Sequence, residues 1–158
     1  MNIAIVYYSY SGNTHKAAQL IEDILKNGNT VNRIRIEAQG ESRSFFRQAL
    51  RGLTKKKVDI LPVETNLAAC DLVILGTPVW DREMCPAMRA YLEKASGLAG
   101  KKAVPFVTYG SGFGKEHCLV SLKQAIEQKG ANCIGSFSLS QFKAADKSLL
   151  EGLLKEFL

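Results

Sequence analysis

The sequence predicts one α/β domain over residues 1–158, with helices on both faces of a five-stranded parallel sheet of order 2-1-3-4-5. Three observations predict this three-layer sandwich. Apolar runs alternate with amphipathic stretches along the whole chain. The first and third runs are the most apolar, as central strands buried on both faces must be. The second run alternates polar with apolar residues, as an edge strand does.

The first strand spans residues 2–8. Residues 13–26 follow as a helix, with Ala17, Leu20, Ile21, Ile24 and Leu25 on one face, and Asn27-Gly28-Asn29 ends it. In the second strand, Val31, Arg33 and Arg35 oppose Asn32, Ile34 and Ile36. Residues 43–53 read as a helix with Phe46, Leu50 and Leu53 in register. The third strand runs from Asp71 to Leu75, before Gly76. Pro86 opens the next helix, whose Met88, Tyr91, Leu92 and Ala95 share a face, and Gly97 to Gly100 form the return loop. Ala103 to Thr108 is the fourth strand. Pro105 cannot donate to a ladder, so a bulge or a missing bond is expected there. A helix over 115–129 stops at Gly130, Cys133 to Leu139 is the fifth strand, and the last helix covers about 144–157. Leu149, Leu150, Leu153, Leu154 and Phe157 face inward on it.

Several function classes fall away on composition. No apolar run is long enough to cross a membrane, and Asn2 to Tyr7 reads as a strand where a signal peptide would stand, so a cytoplasmic location and no membrane partner are expected. Cys70, Cys85, Cys118 and Cys133 make no C-x-x-C pair, and His15 and His117 are the only histidines, so no metal site is expected. Four reduced thiols are the expectation, with Cys118 packed beside Leu122, Ala125 and Ile126. The formal charge is +6. Arg43, Arg47, Arg51 and Lys55 recur every four residues, Lys56 and Lys57 follow, and these six match the excess. A solvated helix face is the ordinary reading; the functional one is a docking stripe for an acidic redox partner protein or an anionic substrate. Phe45 and Phe46 are the only aromatics interleaved with it, which argues against nucleic acid.

In a sheet of this order, ligands bind beyond the carboxyl ends of the strands, where the first and third diverge. Three loops meet there: Ser9 to Thr14, Thr77 to Met84, and Thr108 to Gly114. The first, Ser9-Tyr10-Ser11-Gly12-Asn13-Thr14, offers hydroxyls, an amide and backbone N–H groups at the positive end of a helix. Gly12 lets a ligand approach the backbone. Such a loop suits a terminal phosphate. It is no dinucleotide fingerprint, since G-x-G-x-x-G is absent. Gly110 to Glu116 fails as a nucleoside-triphosphate loop, because Tyr109 replaces its first glycine and Glu116 its Ser/Thr. The second loop, Thr77-Pro78-Val79-Trp80, carries the lone tryptophan, which can stack on a flat ring, and Met84 fills a gap beside it. The third, Thr108-Tyr109-Gly110-Ser111-Gly112, offers free amides for the edge of a heterocycle.

Ser9-x-Ser11-Gly12-Asn13-Thr14 resembles the FMN phosphate loop of flavodoxins and flavodoxin-like oxidoreductases. Gly76-Thr77-Pro78-Val79-Trp80 and Thr108-Tyr109-Gly110-Ser111-Gly112 resemble their second and third flavin loops, in the same order along the chain. The resemblance implies a flavodoxin-like fold of the short-chain type, lacking the last-strand insertion of long-chain members. It also implies FMN, with its phosphate on Ser9 to Thr14 and its ring between the other two loops. Two functions follow from it. The leading one is electron transfer through a non-covalent flavin between redox partner proteins. The alternative is an NAD(P)H-dependent oxidoreductase reducing a quinone, flavin or similar small acceptor. Asp81 and Glu83 near the ring, offset by Arg82, lean slightly to a carrier, although typical flavodoxins are acidic and this chain is basic. A flavin-free binding module is the weakest reading, and neither His117 nor any other residue is assigned as catalytic acid or base.

Overall fold

Alternation along the first strand sets the layering. In the computed structural model, which describes residues 1–40 and 58–157, Ile3, Ile5 and Tyr7 of β1 (Asn2–Tyr8) turn to one face and Ala4, Val6 and Tyr8 to the other, all buried. The chain continues as α1 (Asn13–Leu25), β2 (Thr30–Ile36), β3 (Leu72–Trp80), β4 (Glu83–Met84), α2 (Pro86–Lys94), β5 (Lys102–Tyr109), α3 (Lys115–Glu127), β6 (Asn132–Cys133), β7 (Phe137–Ser140) and α4 (Lys147–Lys155). α1 and α4 cover the Ile3 face with Ala17, Ala18, Ile21, Leu150 and Leu154. α2 and α3 cover the Ala4 face with Met88, Tyr91, Leu92, Cys118, Leu122 and Ile126.

Strands β2, β1, β3 and β5 lie side by side in parallel, and β6 and then β7 run along the far side of β5. Taking β6 and β7 as halves of one strand, and β4 as a hairpin return, this is the expected order 2-1-3-4-5. β2 sits at the edge, burying only Ile34 and Ile36. The last helix begins at Lys147, later than expected, because the Asp146 carboxylate accepts from the Leu149 N–H at 3.0 Å and fixes its start. The helix expected over 43–53 and the stripe Arg43, Arg47, Arg51 and Lys55 lie outside the described residues.

Two departures matter for the site. The third strand does not stop at Leu75. It stays paired with β5 through Thr77↔Val107 and Pro78↔Thr108, and turns back only after Trp80. Residues 77–80 are therefore strand, and the expected loop shrinks to a two-residue hairpin turn at Asp81 and Arg82.

The second departure is at Pro105. The carbonyls of Lys101, Ala103 and Tyr109 accept from Asn132, Ile134 and Gln141 at 2.8, 3.0 and 2.8 Å, so alternate residues, Pro105 among them, face the last strand. Opposite Pro105 that strand breaks between Cys133 and Phe137, and its register moves by one residue, from Lys102↔Asn132 to Phe106↔Phe137. The expected missing donor and bulge coincide there.

Gly76 lies where a side chain has no room, since a Cβ there would overlap the Phe106 ring. That ring stacks on Phe137 at 5.2 Å between centroids. Gly76→Ala is expected to lower stability by about 1–3 kcal/mol through overpacking, read as a lower urea midpoint. An unchanged midpoint would show that Phe106 can move aside.

Candidate cofactor site

The carboxyl end of the sheet gathers the three sequence-predicted segments. After Tyr8 the chain leaves β1 through Ser9, Tyr10 and Ser11, and Gly12 turns it into α1 with φ of +90°. Nothing stands within 4 Å of where a Gly12 Cβ would be, so this backbone lies open. No side chain caps α1, which leaves its first N–H groups for a ligand. Ser9 is buried and its hydroxyl has no partner among the described residues. Asn13 donates to the Ser11 hydroxyl at 3.1 Å. Thr14, fully buried, shares a 2.8 Å hydrogen bond with Thr108, so the first and third segments are joined directly.

The second segment approaches the first through its aromatics. The Trp80 ring meets Tyr8 and Tyr10 edge-on, at 6.1 and 6.4 Å between centroids. Pro78, Val79 and Trp80 are half-buried, while Met84 is in the core as expected. The Thr77 hydroxyl has partners inside the protein. It donates to Cys85 Sγ at 3.2 Å and accepts from the Cys85 N–H at 3.2 Å, which anchors the start of α2. In the third segment the Tyr109 ring lies under the Lys115 ammonium at 4.7 Å, Gly110 sits beside Gln141, and Gly112 bends beside Tyr109. Ser111 accepts from the Phe113 N–H at 3.4 Å. Three large aromatics stand in solvent at this rim: Tyr10, Phe113 and Phe142, the last two more than 70% exposed.

Sequence reasoning passed over two arrangements. Tyr7 and His15 form a 2.6 Å hydrogen bond beneath the first segment. Burial raises the Tyr7 hydroxyl above its usual range, and burial, then Arg33 and Arg35, lower His15, so both shifts favour the neutral forms of the pair. The second is the Asp81–Arg82 turn, with φ of +45° and +69°. Its residues lack the Asn-Gly signature that would have marked it. Glu83, past that turn, is balanced: Ser121 donates to it at 3.0 Å, His117 lies at 3.3 Å and Arg89 at 3.6 Å.

A cleft of about 500 Å³ lies at the opposite, amino end of the strands, lined by Met1, Asn2, Lys26, Gly28, Asn29, Thr30 and Asp71, and none of the three segments reaches it. Among the described residues no group of His, Cys, Asp and Glu could hold a metal, and no helix is long and apolar enough to cross a membrane.

A parallel sheet of this order, with an open helix start and aromatic walls at its switch point, defines the flavodoxin-like class. The sequence model of the NADPH-dependent FMN reductase family matches residues 1–144, and the chain belongs to that family. It is an FMN-binding flavoprotein. It is 27% identical over 145 residues to an NAD(P)H dehydrogenase (quinone) of Geobacter sulfurreducens, covering 85% of this chain and 71% of that one. A two-electron reduced flavodoxin of Megasphaera elsdenii is 26% identical, with a TM-score of 0.62 over 97% of this chain and 98% of that one. A flavoprotein of Lactobacillus acidophilus in complex with FMN gives a TM-score of 0.66 at 18% identity, over 93% and 98% of the two chains.

The residues present fit FMN. The unpartnered Ser9 hydroxyl, the open Gly12 backbone and the uncapped α1 supply neutral donors for a phosphate.

The thiols are inert by environment. Burial pushes Cys85 up to about 11 against a smaller pull from Thr77, and burial with nearby Cys85 and Glu83 pushes Cys118 up to about 12. At about pH 7.5 a thiol with a pKa near 11 is ionised in roughly one molecule in three thousand. Iodoacetamide is therefore expected to leave both unlabelled in the folded chain and to label both in urea, read by mass spectrometry. Rapid labelling of Cys85 in the folded chain would contradict its burial.

Proposed function

We propose that this protein is an NAD(P)H-dependent oxidoreductase whose FMN is held at the three segments and passes electrons to a small flat acceptor such as a quinone. One observation carries the placement: a buried, unpartnered Ser9 hydroxyl beside the open start of α1. FMN, when bound, supplies hydride acceptance and release of one or two electrons. The residues do the rest. Ser9, Ser11, Asn13 and Thr14, with the N–H groups after Gly12, hold the phosphate. Thr108 fixes Thr14 in place. Pro78, Val79 and Trp80 form one wall for the ring, and Tyr109 to Gly112 form the other with free amides. The exposed rings of Tyr10, Phe113 and Phe142 suit an apolar acceptor arriving from solvent.

The family and the Geobacter relative support NAD(P)H as donor, and that choice suits a single unit over residues 1–158 working in the cytoplasm. The second reading is a carrier that docks redox proteins, favoured by the likeness to a flavodoxin over nearly the whole of both chains. An acidic partner on the Arg43, Arg47, Arg51 and Lys55 stripe would belong to that reading. Glu83 argues less for a carrier than it does in the bare sequence, because the Arg89 guanidinium lies 3.6 Å from it and Ser121 donates to it.

FMN titration followed by flavin fluorescence tests the site; no binding at micromolar FMN would overturn it. Thr14→Ala is expected to weaken FMN by about 1.5–3 kcal/mol, the worth of a hydrogen bond to a charged group. Unchanged affinity would move the phosphate elsewhere. Stopped-flow mixing of the FMN-loaded protein with NADPH and NADH separates the two readings. Fast flavin bleaching is expected, and none would leave the carrier.

A further inference from the structure

The Asp81–Arg82 turn holds two non-glycine residues in the left-handed region, and the larger, Arg82, has φ of +69°. Such a turn persists only where its surroundings over-determine it. Here α3 and the bend before it do so. Gly114, also left-handed, packs so closely on Arg82 that a Cβ there would overlap its side chain. The Arg82 guanidinium lies over the Phe113 ring at 5.7 Å. His117 Nδ1 stands 3.0 Å from the Arg82 carbonyl; a carbonyl only accepts, so Nδ1 carries the proton and donates. The same Nδ1 is 3.3 Å from one oxygen of Glu83, and the Ser121 hydroxyl donates to the other at 3.0 Å.

We infer that Glu83 and His117 are positioning residues that lock the Trp80 hairpin onto α3, so that the two walls of the flavin-ring slot move as one body. The inference rests on the placement of the ring between those walls. Trp80 pairs directly with Glu83 across the hairpin, so whatever holds Glu83 holds the tryptophan backbone. The helix that holds it starts just after Thr108 to Gly112, the opposite wall. The carboxylate accepts from Ser121 through one oxygen and lies beside the His117 imidazole with the other, while the Nδ1 proton goes to the Arg82 carbonyl. Its partners, Ser121, His117 and Arg89, lie on α3 and α2 and none belongs to Ser9 to Thr14, so its effect is expected on the ring and not on the phosphate.

The test uses Glu83→Ala, Glu83→Gln and His117→Ala beside the wild-type protein. Without flavin, trypsin cleavage after the exposed Arg82 is followed by mass spectrometry, with cleavage after Lys143 as reference. Glu83→Ala and His117→Ala are expected to speed cleavage after Arg82 several-fold and leave Lys143 unchanged. Glu83→Gln, which keeps an acceptor oxygen, is expected to stay nearer the wild type. With flavin, Glu83→Ala is expected to weaken FMN and riboflavin alike, by about ten-fold, the value of a charge-assisted hydrogen bond. Thr14→Ala should weaken FMN and spare riboflavin. Unchanged cleavage after Arg82 would overturn the lock, and so would a Glu83→Ala protein that loses affinity for FMN but not for riboflavin. If wild-type protein bound neither flavin, the cofactor placement would fail, while the cleavage comparison would still decide whether the hairpin is locked.

Discussion

The two central strands are dry on both faces, and this constraint shapes everything else. Residues Ile3 to Val6 of β1 and Leu72 to Leu75 of β3 are all apolar and buried between helices. No polar group can be presented to a ligand along their length without an unpaired donor or acceptor in the core. Polar function is displaced to the point where the strands end. There the buried hydroxyls of Ser9, Thr14, Thr77 and Thr108 collect. Three of them have partners inside the protein. The hydroxyl of Ser9 has none among the described residues.

The rim is also braced in a ring. Thr14 and Thr108 join the first segment to the third, Tyr8 and Tyr10 meet Trp80 between the first and the second, and Arg82 and Glu83 meet α3 between the second and the third. A site built this way loses little freedom on binding, because its walls are already in position. The family assignment fits such a site: the flavin brings its own redox chemistry, and the protein contributes shape, hydrogen bonds and access.

Much of this was legible in the residues, for reasons that can be named. The strand order followed from which runs are apolar throughout and which alternate, because burial on one face or two leaves different periods. The phosphate loop was readable because small hydroxyl residues around one glycine, directly after a first strand, have a definite use. The extent of β3 was not readable. Gly76 and Pro78 disfavour strands locally, and pairing with β5 keeps them extended. The Thr77 hydroxyl likewise points into α2 through a cysteine that no local pattern links to it. The turn at Asp81 and Arg82 carries residues that ordinarily avoid it, so its cause lies some thirty-five residues away, at His117. Tertiary contacts override local preference in each case.

The break opposite Pro105 reaches further than a lost ladder bond. Cys133, Phe137 and Leu139 are all odd-numbered, and an unbroken strand would send them to the same side. Instead Cys133 packs with the α2–α3 layer, and Phe137 and Leu139 with the α1–α4 layer. One extra residue in the gap inverts the phase of the strand, so a single edge element seals both interiors in turn. A deletion of one residue between Ile134 and Ser136 would restore a single register along β5 and keep Phe137 and Leu139 on the α1–α4 side. Deleting two would bring both into phase with Cys133 and turn two large side chains toward the wrong layer.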